Sequence, residues 1–203
     1  MIIIGITGSI GMGKSTIALM LKFFGIPIHD SDRTVKKLLE KDFIIDIIKK
    51  KWPTCIINHE KKNKINKEKL SKIIFDNVKE RKKLENLIHP YIIKKRNSFI
   101  RKNKNKRIIG IDVPLLYETR TDKICNYIFL ASASDEIQKK RVLKRANMNT
   151  EKFNKINNNQ LSNFEKKKKY PIIIPTGYGK IITYIIVILN LLLIIIRTKS
   201  IKV

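Results

Sequence analysis

The chain has 203 residues, of which 43% are hydrophobic and two are Cys, and 44 Lys and Arg against 17 Asp and Glu give it a formal net charge of +27. The length suffices for a buried core, and the apolar content excludes a disordered chain. The few Gly and Cys exclude a collagen-like chain and a disulfide scaffold, and the scattered His exclude a zinc finger. The charge would suit a nucleic-acid-binding protein, but 35 of the 44 basic residues are Lys spread along the chain, so we favour a compositional bias and expect no nucleic-acid partner.

The chain begins in the order of a βαβ unit. Residues 2–6 form a β-branched run that predicts a buried strand, and residues 15–24 predict a helix that ends at Gly25. Residues 26–29 then predict a second short strand. Since βαβ units build parallel sheets, this order predicts an α/β fold.

The middle of the chain is predicted to be helical and the last part to return to strands. The helical pattern runs through residues 33–106, and strands are predicted at 108–113, 126–131 and 172–174. The longest basic run, residues 166–169, predicts a solvated helix face.

The apolar segment 181–196 admits two interpretations. As a helix, its 16 residues would span about 24 Å, less than the ~30 Å hydrocarbon core of a membrane. Thr183, Asn190 and Arg197 stand seven residues apart, which predicts a helix packed on the core with one polar stripe. We favour this packed helix over the alternative, a membrane contact through the segment.

Residues 8–15 satisfy the P-loop pattern G-x-x-x-x-G-K-[ST], between a predicted strand and a predicted helix. Its glycines let backbone N–H groups converge on phosphate oxygens, Lys14 reaches the β- and γ-phosphates, and the Ser15 hydroxyl is a ligand for Mg²⁺. The pattern predicts a nucleotide site at Gly11, Met12, Gly13, Lys14, Ser15 and Thr16.

Carboxylates stand where two predicted strands end. Asp112 occupies the position of a carboxylate that holds Mg²⁺ through water. Asp30 and Asp32 follow the second strand, where a carboxylate can accept the proton of an attacking hydroxyl. An Asx turn with a helix N-cap accounts for this pair equally well.

Two arginines are further candidates. Gln138, Arg141 and Arg145 stand at i, i+3 and i+7 of a predicted helix over 135–145, so they share one face. An Arg pair over a phosphate site stabilises charge on a group in transfer, and a solvated basic face is the alternative. His89, before a Pro, is more typical of a helix end than of a catalytic centre.

Over about residues 1–165 the chain resembles the dephospho-CoA kinases, most of all an alphaproteobacterial version. The P-loop is common to many kinases. The His-Pro pair at 89–90 followed by the PLLYE segment at 114–118 is much more specific. Tyr-Pro at 170–171 departs from the Ala-Asp pair that such kinases usually carry. The resemblance rests on residues 5–16, 29–32, 84–85, 89–90, 112–118, Gln138, Arg141, 151–153 and Gln160.

The resemblance implies ATP-dependent phosphorylation of the ribose 3′-hydroxyl of dephospho-CoA, the last step of coenzyme A synthesis. It implies an α/β fold with a P-loop kinase core, a parallel sheet flanked by helices, a helical substrate-side insertion and a small lid. The core would comprise residues 1–32 and 107–180 with the lid at about 138–160, the insertion residues 33–106, and the apolar C-terminal helix residues 181–203.

The resemblance also implies roles for single residues. Asp32 would activate or orient the 3′-hydroxyl, although the sequence leaves open which of Asp30 and Asp32 is the base. The remaining expected roles are phosphate contacts for Lys14, Arg141 and Arg145, substrate contacts for Asp30, His89 and Glu118, and Mg²⁺ contacts for Ser15 and Asp112.

Two alternatives to this activity are another P-loop kinase, acting on a nucleoside or nucleotide, and a basic nucleic-acid-binding P-loop protein. The two Cys are far apart and no signal peptide is visible, which predicts a cytoplasmic protein. The sequence does not indicate an oligomeric state.

Overall fold

A computed structural model of the chain describes residues 1–57, 63–146 and 148–200. The chain divides into two compact units, one formed by Met1–His29 with Asn103–Val203 and the other by Asp30–Lys102. The strands are β1 (Ile2–Thr7), β2 (Ile28–Asp30), β3 (Ile56–Ile57), β4 (Lys64–Ile65), β5 (Ile108–Asp112), β6 (Tyr127–Ser132) and β7 (Ile172–Pro175). The helices are α1 (Lys14–Phe23), α2 (Ser31–Leu38), α3 (Asp42–Lys51), α4 (Lys67–Asp76), α5 (Val78–Lys102), α6 (Asp135–Leu143), α7 (Thr150–Asn158), α8 (Asn163–Lys167) and α9 (Lys180–Ser200).

The first unit is built on a sheet with the strand order β2-β5-β1-β6-β7. β1 pairs in parallel with both β5 and β6, and β6 pairs in parallel with β7. A central parallel strand is covered on both faces, which explains why β1 is a continuous apolar run in which Ile4 and Ile6 are fully buried. The predicted α/β fold with a parallel sheet is confirmed.

Two helices of this unit pack on one another beside the sheet. α1 contributes Ile17 and Leu21 to the core, and α9 contributes Val187, Leu191 and Ile194 to the same cluster. Gly25 follows α1 with a positive φ of 71°, as predicted for a residue that ends a helix.

The second unit is mainly helical and has its own core. This cluster includes Leu38, Ile44, Trp52 and Leu84, and the Trp52 Nε1–H donates to Glu80 at 2.7 Å. The unit also contains an antiparallel pair, β3 with β4, that the sequence did not predict, because strands of two residues are too short to show a period of two. The roles assigned to the two parts of the chain stay a prediction.

The boundaries of two predicted helices are corrected. α6 ends at Leu143, so Arg145 lies beyond the helix and does not share a helix face with Arg141. α5 continues through His89 and Pro90 to Lys102, so the His-Pro pair does not end a helix. Proline lacks an N–H group and usually interrupts helices, which is why the sequence suggested an end there.

The C-terminal helix also differs from its prediction. α9 has 21 residues, which corresponds to about 31 Å at 1.5 Å per residue, and it is long and apolar enough to cross a membrane, with a mean hydropathy of 2.5 over Lys180–Thr198. The predicted polar stripe is wrong, because Thr183 is buried and its hydroxyl donates to Pro175 O at 3.0 Å. Length and composition alone do not separate a membrane helix from a core helix, so the packing of α9 decides how it is interpreted.

Candidate active site

The P-loop joins β1 to α1 and contains glycines in a conformation that other residues rarely adopt. Gly11 and Gly13 have φ of 79° and 92°. A Cβ atom on Gly13 would lie 2.6 Å from Thr176 Oγ1, and one on Gly11 would lie 2.6 Å from Val142 Cγ2. Both glycines are therefore needed for backbone shape and for close packing against neighbouring elements.

Three consecutive carbonyl groups of the P-loop accept hydrogen bonds from side chains of other elements. Ile10 O accepts from Gln138 Nε2 at 2.8 Å, Gly11 O from Arg141 Nη1 at 3.4 Å, and Met12 O from Thr176 Oγ1 at 2.6 Å. In a trans peptide the N–H points opposite to the carbonyl, so these bonds fix the orientation of the N–H groups of the loop. The Met12 N–H donates to Ser9 O at 3.1 Å, within the loop itself. Backbone N–H groups arranged in this way form an anion site.

The segment after α7 also holds the P-loop. The Ile10 N–H donates to Gln160 Oε1 at 3.1 Å, and Ser9 Oγ donates to Leu161 O at 3.4 Å. The Gln138 and Gln160 amides therefore bind the carbonyl and the N–H of one residue. Ile10 is fixed by side chains that lie about 130 to 150 positions later in the chain.

Lys14 and Asp112, which the sequence proposed for phosphate and for Mg²⁺, are brought together. Lys14 Nζ lies 2.6 Å from Asp112 Oδ1, and the two side chains are 15% and 7% exposed. Asp112 ends β5, the neighbour of β1, so the sheet places it beside the P-loop. A close pair of this kind keeps the ammonium at the carboxyl end of the sheet, where ligands bind in open α/β folds.

The donor set of this region fits a Mg²⁺ ion that is bound together with a nucleotide. Mg²⁺ prefers oxygen ligands and usually keeps waters and substrate phosphates, with only one or two ligands from the protein. Asp112 supplies a carboxylate and Ser15, in the first turn of α1, an exposed hydroxyl. Among the residues described, no cluster of three or more His, Cys, Asp or Glu could hold a metal ion without other ligands.

The PLLYE segment contacts a buried lysine. Lys166 is 0% exposed, and its Nζ donates to Pro114 O at 3.3 Å and lies 3.7 Å from Glu118 Oε1. Burial lowers the pKa of Lys166, and Glu118 opposes that shift. Glu118 Oε1 also accepts the Leu161 N–H at 2.8 Å. The prediction of a solvated basic face is therefore wrong for Lys166, which joins α8 to the segment after β5.

Asp30, Asp32 and His89 lie in the second unit. Asp30 caps α2, because its Oδ1 accepts the Arg33 N–H at 2.8 Å. Asp32 follows in the first turn of α2 and is exposed. His89 lies within α5, about halfway along the helix. The sequence offered an N-cap as the alternative role for this pair of acidic residues, and Asp30 is the one that performs it.

Arg141 and Arg145 are in different surroundings. Besides the bond to the P-loop, Arg141 donates to Thr176 Oγ1 at 3.0 Å and to Thr176 O at 2.6 Å. Arg145 is exposed, beyond the end of α6. Sequence reasoning gave no role to Thr176 or Lys166. The signal for Thr176 was its position two residues after a predicted strand, while a Lys within a run of four Lys carries no signal of burial.

Comparison with known proteins gives one family. The sequence model of the dephospho-CoA kinase family matches residues 2–179. The chain is 38% identical to the dephospho-CoA kinase of Bartonella quintana over 86% of its length and 89% of the relative's, and 40% identical to that of Prochlorococcus marinus over 84% and 85%.

Two solved structures show the same fold. One is a crystal structure of TT1252 from Thermus thermophilus, with a TM-score of 0.80 and 24% identity, which covers 94% of this chain and 96% of that one. The other is a dephospho-CoA kinase from Campylobacter jejuni, with a TM-score of 0.70 and 23% identity over 95% and 96%. The family's sequence model and the relatives of 38% and 40% identity match most of the length of this chain. The chain therefore belongs to the dephospho-CoA kinase family.

Proposed function

We propose that this protein transfers the γ-phosphoryl group of ATP to the ribose 3′-hydroxyl of dephospho-CoA, which completes coenzyme A. The observation that carries the proposal is the P-loop itself, with three carbonyls held by other elements and with Lys14 2.6 Å from Asp112. Membership of the dephospho-CoA kinase family names the acceptor.

Lys14 and the N–H groups of residues 11–16 would bind the phosphates of ATP. The first N–H groups of α1, those of Lys14 and Ser15, have no carbonyl partner within the helix and form its positive end. Ser15 and Asp112 would hold Mg²⁺, which neutralises phosphate charge when it is bound. On this proposal Lys14 is shared between Asp112 and the phosphates.

Asp32 would accept the proton of the 3′-hydroxyl. The hydroxyl oxygen forms a bond to the γ-phosphorus, the bond to the β-phosphate oxygen breaks, and ADP leaves with that electron pair. Asp30 supports this choice between the two residues, because its carboxylate is used to cap α2, whereas Asp32 is exposed. Arg145 would stabilise the charge on the transferred group, and Arg141 would hold the P-loop and Thr176 in position.

Further parts of the proposal rest on the family resemblance. Residues 33–106 would carry the substrate-side contacts, with His89 among them, and residues 138–160 would form the lid. Glu118 would act near the substrate while it holds the Leu161 N–H. The reaction would take place in the cytoplasm, where ATP and Mg²⁺ are available.

A coupled ADP-release assay tests the proposal, with dephospho-CoA, nucleosides and nucleoside monophosphates compared as acceptors. We expect turnover of dephospho-CoA that does not depend on added DNA or RNA. Turnover of a nucleoside alone, or ATP hydrolysis that nucleic acid stimulates and salt suppresses, would contradict it.

Substitutions in the same assay test the residue roles. Lys14→Ala and Asp32→Asn should each lower kcat by about 100-fold or more, and Asp32→Asn should leave ATP binding intact. Asp30→Asn keeps an N-capping side chain, and Asp46→Asn changes an exposed acid of α3, so both should retain turnover. A normal rate for Asp32→Asn with loss in Asp30→Asn would reverse the assignment of the base.

A further inference from the structure

The sides of α9 differ in exposure but not in polarity. Thr183, Val187, Leu191 and Ile194 are buried against the first unit. At 100° per residue, the opposite side of the helix carries seven apolar residues that are 45% to 78% exposed. We call this set the outer face of α9: Ile181, Ile182, Ile185, Leu189, Leu192, Leu193 and Ile196.

Further exposed apolar side chains lie at the end of α1, which contacts α9 through Tyr184. Phe24 stacks on Tyr184 of α9 with ring centroids 5.4 Å apart, and Phe23 lies at 6.3 Å from the same ring. Leu19 and Phe23 are themselves largely exposed. Soluble monomers rarely expose contiguous apolar surface on this scale, and such surfaces mark contacts with proteins or membranes.

The charged residues that adjoin the outer face along the chain are positive. Lys180 and Arg197 flank the apolar stretch of the helix, and no Asp or Glu occurs in residues 177–203 or 103–111. A cleft of about 380 Å³ beside α9 is lined by apolar side chains, among them Ile188 and Leu192, together with Lys106 and Arg107. An apolar surface edged by cations complements anionic phospholipids, whose acyl chains are apolar and whose headgroups are negative.

The packing of α9 decides how it would meet a bilayer. If the helix crossed the membrane, Val187, Leu191 and Ile194 would leave the core, and the bond from Arg107 Nη2 to Ile195 O, at 3.0 Å, would break. The polar side chain of Asn190 bonds to Ile186 O within the helix, at 2.8 Å. A helix that lies in the plane of the membrane keeps all these contacts and buries only its exposed side.

We propose that the outer face of α9 is a docking surface for an anionic phospholipid bilayer, on which the helix lies in the headgroup plane while its other side stays packed on the protein. The matched residues of the kinase family end at 179, directly before α9, so this surface goes beyond the proposed function. Membrane docking would place coenzyme A production at the lipid surface without a spanning segment.

Vesicle sedimentation of the full chain tests the proposal. Binding to phosphatidylcholine vesicles that contain about a third phosphatidylglycerol should be at least about 10-fold tighter than to phosphatidylcholine alone, and salt should weaken it. Alkaline carbonate should release the bound chain. Equal binding to both vesicles, no binding to either, or retention after carbonate would overturn it.

Matched variants locate the surface. The triple Gln variant of α9 combines Ile185→Gln, Leu189→Gln and Leu192→Gln. It should bind vesicles about 10-fold or more weakly, because fewer apolar side chains enter the bilayer while Gln keeps the helix propensity. The control exchanges three exposed apolar residues elsewhere and should bind like the original chain: Ile57→Gln, Val78→Gln and Phe164→Gln. The α9 variant should keep full dephospho-CoA turnover, which separates this proposal from the proposed function.

A second pair of variants tests the charge. Lys104→Gln with Lys106→Gln should weaken binding to anionic vesicles by several-fold, while Lys49→Gln with Lys50→Gln, also exposed, should not. Light scattering measures the oligomeric state and tests whether a second copy of the chain covers the outer face instead. The original chain could form a dimer that the triple Gln variant of α9 does not form, and bind no vesicles. That result would assign the outer face to a second copy of the chain and overturn the proposal.

Discussion

The P-loop and α9 belong to the same compact unit but are stabilised in different ways. In the P-loop, the carbonyls of Ile10, Gly11 and Met12 each accept a hydrogen bond from a side chain of a distant element. α9 is held chiefly by apolar packing of one side, and its other side is equally apolar but exposed. Hydrogen bonds specify donor and acceptor atoms, whereas apolar packing specifies mainly volume.

This difference bears on which changes each region tolerates. A P-loop substitution that moves one peptide disturbs several bonds at once, so we expect few substitutions to be tolerated there. Ile, Leu and Val can replace one another in α9 at small energetic cost. The family's sequence model includes the P-loop and ends before α9, whereas the fold match to the solved structures covers 94% and 95% of the chain.

The largest expected effect is that of Gly13→Ala. The new Cβ would meet Thr176 Oγ1 at 2.6 Å and would have to adopt a φ of 92°, so the P-loop must shift. We expect kcat/KM for ATP to fall by about 100-fold or more, which corresponds to ~2.7 kcal/mol.

Gly25→Ala is the matched control for this change. Its φ is also positive, at 71°, but a Cβ there meets nothing within 4 Å. It should cost about 1 kcal/mol of stability and leave kcat/KM unchanged. Equal loss of activity in the two variants would show that backbone strain, and not contact with Thr176, matters.

Adjacent leucines of α9 provide the next test. Leu191→Ala opens a cavity in the core and should lower the free energy of unfolding by about 2–5 kcal/mol, measured by chemical denaturation. Leu192→Ala, on the outer face, should change it by less than about 0.5 kcal/mol. Similar losses for both would mean that the outer face is also buried in solution.

Gln160→Leu should have a smaller effect on activity. It removes the acceptor of the Ile10 N–H but keeps the size of the side chain. We expect KM for ATP to rise by about 5-fold with a smaller change in kcat, since one hydrogen bond contributes ~1 kcal/mol. Gln160→Glu keeps an acceptor oxygen and should restore KM. Failure of that rescue would indicate that the P-loop does not depend on this bond.

Tyr117→Phe has the smallest expected effect and depends on pH. The hydroxyl of Tyr117 is buried and has no hydrogen-bond partner among the described residues, and burial raises its pKa to about 12, helped by Asp122, Cys125 and Glu118. The folded protein thus keeps a proton that the unfolded chain loses near pH 10, so this contribution to stability is present below pH 10 and is lost as the pH rises to 12.

Denaturation of the original chain and of Tyr117→Phe at pH 9 and pH 11 measures this contribution to stability. The original chain should lose about 1 kcal/mol more than the variant between the two pH values. At pH 9 the variant should be at least as stable, because it removes a buried hydroxyl that lacks a partner. The same pH dependence in both proteins would mean that the hydroxyl is solvated.

The sequence determined the parts of the molecule that rest on local pattern. The β-branched run before the P-loop predicted a buried strand, and the element order of a βαβ unit followed from it. The P-loop was predicted from its glycine spacing, which the backbone of a phosphate-binding turn requires. Residues 112–118 and the His-Pro pair then indicated the dephospho-CoA kinase family.

The tertiary structure decided the matters in which distant residues meet. It gave the N-cap of α2 to Asp30, set Arg145 beyond α6, and buried Lys166 within a run of lysines. These outcomes depend on which element lies opposite each residue, and a local pattern does not contain that information. For α9 the sequence contains one continuous apolar run, and only packing against α1 and β7 divided it into a buried side and an outer face.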